Sequence, residues 1–324
     1  MRHAPVALRC ALAVVLAGAA VGAGASPALA AGDPLALTNG FYVDPNTSAA
    51  TWVASHRADG RAASIKTSIA DRPMARWFGN WSGDIGQAVG AFVGAADQAD
   101  RLPVLVAYNL PGRDACGGHS AGGAGSPAAY YTWISAFADA IKDRPAIVIV
   151  EPDALGDFAC MDAAAISTRN DLLRFASTQF RDRSPNTWAY LDAGNAGWVA
   201  ANVMAGRLHA AGLANVRGFS VNVSNYYTTG QSATYGSSVN AALSRHGYQR
   251  SYVIDTSRNG NGSNGQWCNP AGRRIGTPPQ KGGGAELLLW IKAPGESDGA
   301  CGTAPGSPAG SFDPQLAYNL IYGY

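Results

Sequence analysis

The chain has 324 residues, 47% hydrophobic and only 14% charged, with 24 basic against 22 acidic side chains. That balance does not indicate a basic surface for a nucleic acid. The length suits one barrel-sized domain, which commonly needs on the order of 250 residues, and there is no internal repeat and no linker long enough to divide it.

The first thirty residues read as a processing segment. Arg2 and Arg9 give a basic start, residues 11–25 are apolar and small, and Ala28-Leu29-Ala30 has the small-x-small form of a signal-peptidase site. Residues 1–30 are therefore expected to be a secretory signal, and residues 31–324 the single folded domain. Glycines interrupt the apolar run and the cleavage site bounds it, which argues against a retained membrane anchor. Loss of Arg2 and Arg9 makes the mature charge formally neutral, 22 basic against 22 acidic. Cys10 is lost as well, and Cys116, Cys160, Cys268 and Cys301 remain. An even number in an oxidising compartment predicts two disulfides, with three pairings open.

Along the mature chain, strand-like runs fall at residues 41–43, 74–78, 102–108, 146–150, 187–191, 216–223, 251–254 and 287–291. Helix-like stretches lie between them at 48–56, 85–98, 128–142, 163–180, 196–211, 235–246 and 314–321. In the third, Tyr130, Trp133, Ile134, Phe137 and Ile141 recur at helical spacing and predict a core-facing stripe. The alternation of strand and helix favours a parallel α/β barrel over a sandwich.

Five strand-like runs end in carboxylates followed by turn residues: YNLPGRD, VEPDALG, YLDAG, IDTSRNG and WIKAPGESDG. In a parallel sheet ligands gather at these carboxyl ends. The acids so assembled are Asp114, Glu151, Asp153, Asp192, Asp255, Glu296 and Asp298, with Lys292 beside the last pair. Cleaving a glycosidic bond needs one carboxyl kept protonated for the leaving oxygen and another kept ionised, and crowded acids separate their pKa values in that way. Any one of them alone would equally suit a helix cap. Trp77, Trp198, Trp267 and Tyr108 lie at or close beyond strand ends, where rings can stack on sugar faces.

Other chemistries are poorly served. The five histidines show no HxH, HxxH or HExxH spacing, so no metal site is expected, with His119 of the glycine-rich loop the one of interest. There is no GxSxG elbow for a serine nucleophile, no Lys-Ser/Thr ending for a phosphate loop and no dinucleotide fingerprint. The glycine-rich stretches at 119–126, 259–265 and 300–311 read as loops over the active face.

Taken together, YNLPGRD, the downstream HSAGG, VEPDALG, YLDAGNAGW, IDTSRNGNG, QWCNP and WIKAPGESDG resemble glycoside hydrolase family 6, the inverting cellulases, in motif order over essentially the whole mature chain. The resemblance implies a distorted parallel β/α barrel of about seven strands, so one of the eight runs is an adjunct. It implies Asp153 as general acid, Asp114 as the carboxylate that keeps Asp153 protonated, and Asp298 as the residue long proposed as base, with the base divided between Asp114 and Asp298. Tyr108 would favour a distorted sugar, and Lys292 and Glu296 would contact hydroxyls. Trp77, Trp198 and Trp267 would be stacking platforms, and Asp192 an acid of structural or binding role. The implied disulfides are Cys116–Cys160 and Cys268–Cys301. One departure is that Ala115 separates the GRD aspartate from Cys116, leaving either Ser120 or Ala121 at the place of a water-contacting serine.

The expected function is a secreted, monomeric endo-β-1,4-glucanase acting on cellulose and soluble β-1,4-glucans without a cofactor, without a nucleic-acid partner and free of the membrane. Short segments after GESDG imply an open cleft. The alternatives are a cellobiohydrolase of the same family and a non-catalytic polysaccharide-binding protein on the same scaffold.

Overall fold

The structure, a computed structural model, describes Met1, residues 32–118 and residues 120–324. The expected signal segment with Cys10, and His119, lie outside the described residues. The strands are β1 (Arg76–Phe78), β2 (Val104–Ala107), β3 (Ala146–Val150), β4 (Thr187–Asp192), β5 (Gly218–Val221), β6 (Ser251–Asp255), β7 (Gln280–Lys281) and β8 (Leu287–Leu289). They form one curled sheet in the order β1-β2-β3-β4-β5-β6-β8-β7, parallel throughout except that β7 runs antiparallel to β8.

The continuous apolar runs follow from burial on both faces of this sheet. Because successive side chains point to opposite sides, Val104, Val106, Ile147, Ile149 and Tyr190 pack inward with Leu287 and Leu289. Leu105, Val148, Val150 and Leu191 pack outward in the core shared with the helices. The helices of that core are α3 (Ile85–Gln98), α4 (Pro127–Ile141), α5 (Ala163–Arg183), α6 (Ala201–Ala210) and α7 (Thr229–Leu243), whereas α1 (Ser48–Ser55), α2 (Ala62–Ile65) and α8 (Pro314–Tyr322) pack in a separate cluster with Met74 and Trp290. On α4 the expected stripe is buried, with Trp133 half-buried against it. Asp84, Asp162 and Asp313 cap α3, α5 and α8 by accepting first-turn N–H groups, so these acids serve the helices.

Several elements differ from the sequence reading. Residues 41–43 contribute one bridge, Phe41 to Leu102, and are the adjunct. β7 pairs only two polar residues with β8, and α2 continues into a π turn at Lys66–Ala70; neither carries a periodic apolar signal. α7 starts at Thr229, six residues ahead of the expected start, because Thr228 and Gln231 form a reciprocal capping box.

The two edges of the sheet approach each other just beyond β8. The Ala75 N–H donates to the Trp290 carbonyl at 2.8 Å, and the Trp77 indole N–H to the Ile291 carbonyl at 2.8 Å. Among the described residues, no helix is long and apolar enough to cross a membrane.

Candidate active site

Three acids that terminate strands are consumed by the backbone. Glu151, at the end of β3, accepts the N–H groups of Asn109 at 3.0 Å and Leu110 at 2.9 Å. Asp192, ending β4, accepts from the amides of Asp153 at 3.0 Å and Gly194 at 3.1 Å, and from the Ser220 hydroxyl at 2.9 Å. Asp255, ending β6, accepts from the amides of Ser257, Ser224, Ile291 and Lys292 at 2.9, 3.0, 3.2 and 3.0 Å. All three are buried. Carboxylates at these places satisfy N–H groups that the ending ladder leaves without partners. Burial pushes Glu151 up to about 7 and Asp192 up to about 6, against the opposing pull of these hydrogen bonds.

A cavity of about 1100 Å³ lies over the carboxyl ends of the strands. It is lined by Asp114, Asp153 and Asp298, the acids that stand beyond the strand ends. Asp114 and Asp153 have φ of 52° and 69°, and Glu151 has 51°. This left-handed region costs a non-glycine residue on the order of 1–2 kcal/mol, and such strain gathers where side chains must be aimed for function. The Asp153 N–H donates a hydrogen bond to the Asp192 carboxylate, which braces this turn. Asp114 accepts the Ser120 N–H, while the Arg113 guanidinium donates to the Ser120 carbonyl at 2.8 Å and the Tyr108 carbonyl at 3.1 Å. Both Ser120 and Ala121 line the cavity, and Ser120 is the one bonded to Asp114.

Asp153 and Asp298 are driven to opposite proton states. Burial raises the proton affinity of Asp153 well above the ordinary carboxyl range, and the charges of Asp192, Asp114, Asp157 and Asp298 add to it. Burial would also raise Asp298, but the Arg258 guanidinium at 2.8 Å and the Lys292 ammonium at 3.7 Å outweigh it and hold it low. The Tyr226 hydroxyl and the Asn269 N–H, each at 3.1 Å, complete the donors on its Oδ2. Arg258 lies over the Tyr226 ring at 4.4 Å, buried with it.

The aromatic residues expected at the site all border the cavity. Trp77 meets Tyr108 edge-on at 5.2 Å, and burial followed by the Asp153 charge raises the Tyr108 phenol above its ordinary range. Trp198 lies so close over Gly156 that a Cβ there would approach its ring to 2.5 Å, so glycine makes room for the indole. Lys292 and Glu296 also line the cavity. The Lys292 ammonium donates to the Ser297 carbonyl at 3.3 Å, and Glu296 accepts the Ser48 hydroxyl at 2.8 Å. Asp192, like Glu151 and Asp255, does not line the cavity: it lies behind the wall and is joined to it through the Asp153 backbone.

Two disulfides frame the site with the expected pairing. Cys116–Cys160 joins the Asp114 loop to the segment after Asp153, and Cys268–Cys301 joins the loop after β6 to the segment after Asp298. Sequence reasoning missed four participants: Trp81 and Asp157 on the wall, and Tyr226 and Arg258 against Asp298. Arg258 stood within the quoted IDTSRNG run, and a lone cation beside a strand-end acid was the available signal.

A crevice crossing the strand ends, walled by indoles and holding one protonated and one ionised carboxyl, meets the chemical requirements of glycoside hydrolysis. The class is that of the glycoside hydrolases. The family model for Glycosyl hydrolases family 6 matches residues 36–322, and the chain belongs to that family. It is 60% identical over 301 residues to Endoglucanase 1 of Streptomyces halstedii, covering 93% of this chain and 94% of that one. It is 42% identical to Endoglucanase A of Thermobispora bispora, over 95% of this chain and 68% of the relative. The solved endoglucanase Cel6 from Mycobacterium tuberculosis, in complex with methyl-cellobiosyl-4-deoxy-4-thio-β-D-cellobioside, superposes with a TM-score of 0.82 at 39% identity, over 90% of this chain and 99% of that one.

Proposed function

We propose that this protein is a secreted endo-β-1,4-glucanase that hydrolyses internal β-1,4-glucosidic bonds of cellulose with inversion at the anomeric carbon. The observation that carries the reading is the opposition of Asp153, held protonated, and Asp298, held ionised, across one cavity. Asp153 acts as general acid and protonates the departing glycosidic oxygen as the bond to the anomeric carbon breaks. A water attacks the opposite face of the sugar and gives up its proton to a carboxylate.

Asp114 and Asp298 share the remaining work. Asp298 has three donors on Oδ2 and two neighbouring cations that keep it ionised, but those partners already engage its charge. Asp114 has one amide on Oδ2, and its charge supports the proton on Asp153, so it is the better placed to receive a proton through water. Tyr108 borders the distorted sugar, Trp77, Trp198 and Trp267 stack on further rings, and Lys292 and Glu296 bond hydroxyls.

Internal cutting is supported by the openness of the cleft. Trp81, Trp198 and Trp267 on its walls are 56%, 44% and 45% exposed, as suits an open groove. Endoglucanase names on the relatives agree with this mode. We place the mature protein outside the cell as a monomer beginning at Ala31, a reading that the two disulfides favour.

Proton NMR early in hydrolysis of a cello-oligosaccharide tests the reaction. The α-anomer of the new reducing end should appear first; the β-anomer first would overturn inversion, and no product would leave only a polysaccharide-binding scaffold. In a parallel assay, the viscosity of carboxymethylcellulose should collapse while few reducing ends have formed. A fall only in proportion to released cellobiose would replace internal cutting by the cellobiohydrolase mode.

A further inference from the structure

Trp81 is the most exposed of the aromatic residues lining the cleft, and neither the motif series nor the roles assigned above account for it. It stands three residues beyond β1 in a tight turn, where the Ser82 hydroxyl accepts the Gly79 N–H at 3.0 Å and the Ser82 N–H donates to the Gly79 carbonyl at 3.0 Å. The indole is laid over Gly79 so closely that a Cβ there would come within 2.4 Å of the ring. Its ring is 6.5 Å from that of Tyr108, and the Arg113 guanidinium lies over both, 5.3 Å from Trp81 and 4.6 Å from Tyr108. With Trp77 edge-on to Tyr108 at 5.2 Å, the three rings make a continuous aromatic wall.

The members of this wall differ in how they are engaged. The Trp77 indole N–H is committed to the Ile291 carbonyl, and the Tyr108 ring is buried. Trp81 keeps 56% of its surface open, and among the described residues its indole N–H has no hydrogen-bond partner. A large ring held in place by glycine and an arginine, yet left open on a cleft, is arranged for contact with a ligand: little ordering remains to oppose binding. Its apolar surface suits the C–H face of a pyranose, and its free N–H suits a hydroxyl.

We propose that Trp81 is a specificity-determining residue that contacts a glucosyl unit of the bound β-1,4-glucan beside Trp77 and Tyr108, and so favours chains long enough to span the whole wall. The inference rests on the glucanase reading above. The rival role is structural: Trp81 would only shield the Arg113 clamp on the loop that carries Asp114.

The test compares the full-length mature enzyme with Trp81→Ala and Trp81→Phe on cellotriose, cellotetraose, cellopentaose and cellohexaose, measuring kcat, KM and the pH profile of kcat. For Trp81→Ala, KM should rise ~10-fold on chains that reach the residue and less on the shorter ones, since a tenfold change is the scale of one good stacking contact. kcat and its pH limbs should hold, and Trp81→Phe should recover most of the affinity. Unchanged KM at every length would overturn the inference, as would a length-independent loss of kcat with a shifted pH profile, which is the signature of a disturbed Arg113 clamp. A wild-type enzyme inactive on every glucan would overturn the glucanase reading itself and this inference with it, whereas the other failures leave that reading intact.

Discussion

The amide of Asp153 donates to the carboxylate of Asp192 at 3.0 Å, so the acid proposed to protonate the leaving group hangs from the side chain of another acid. Asp192 thereby does two things: it fixes the left-handed turn at Asp153, and its charge helps to keep the Asp153 proton in place. Asp192→Asn should separate them. An asparagine oxygen can still accept the Asp153 and Gly194 amides while its NH₂ donates to Ser220. Losing the negative charge lowers the proton affinity of Asp153, so the alkaline limb of kcat/KM should move to lower pH. A shift of one pH unit would correspond to about 1.4 kcal/mol of lost interaction. An unmoved or alkaline-shifted limb would remove Asp192 from this role.

Replacement of the acid itself should depend on the leaving group. Asp153→Asn should slow hydrolysis of unactivated cello-oligosaccharides by ~10²–10⁴-fold, the usual scale of general acid catalysis. Substrates with strongly acidic phenols as leaving groups need little protonation and should suffer much less. Equal losses on both, with binding intact, would reassign the acid.

The strand-end clasps should show themselves in stability. Asp255→Ala removes the acceptor of four backbone N–H groups that join the ends of β5, β6 and β8. Each buried donor left without a partner costs about 1–3 kcal/mol, so a loss of at least ~3 kcal/mol is expected in urea unfolding. Asp255→Asn, which keeps part of the acceptor set, should lose less. A loss below ~1 kcal/mol for the alanine variant would mean that water replaces the clasp.

Stability should also be greatest in mild acid. Glu151 titrates at about 7 in the folded protein against 4.5 for an ordinary glutamate, and Asp192 at about 6 against 3.8. Between those values the folded chain binds more protons than the unfolded one. Stability is therefore gained as pH falls through this window and lost as it rises, by at most about 1.4 kcal/mol per pH unit for each proton. Asp298 and Asp313 have the opposite sign, since their folded-state values are lowered; what they contribute is lost as pH falls below 4. Urea midpoints should thus be higher near pH 5 than near pH 7.5. A flat or rising profile over that interval would contradict the burial of these two carboxyls.

The sequence carried the sheet well because strands buried on both faces leave continuous apolar runs such as AIVIV at β3. It carried β7 poorly because Gln280 and Lys281 pair at an edge and bury nothing. The same limit applied to the acids. Glu151 and Asp255 looked as chemical as Asp114 and Asp153, since a carboxylate at a strand end can serve either backbone amides or a ligand, and only the path of the following loop decides between them. Trp81 left no trace in the pattern, because its placement depends on a turn and on the missing side chain of Gly79.

The gap between Arg76 and Lys292 has a meaning for a polymer. Where β1 and β8 would complete a closed ladder, β7 occupies one side of β8, and among the described residues the junction is hydrogen-bonded by the Ala75 amide and the Trp77 indole. The cavity runs across this seam, with Ala75, Trp77, Lys292 and Glu296 on its two banks. A circle of strands hydrogen-bonded all the way round would present a glucan with a crowded, well-like mouth. An interrupted circle leaves the cavity room to extend across the seam, which fits the internal cutting proposed above, where a chain is laid in from the side and not threaded.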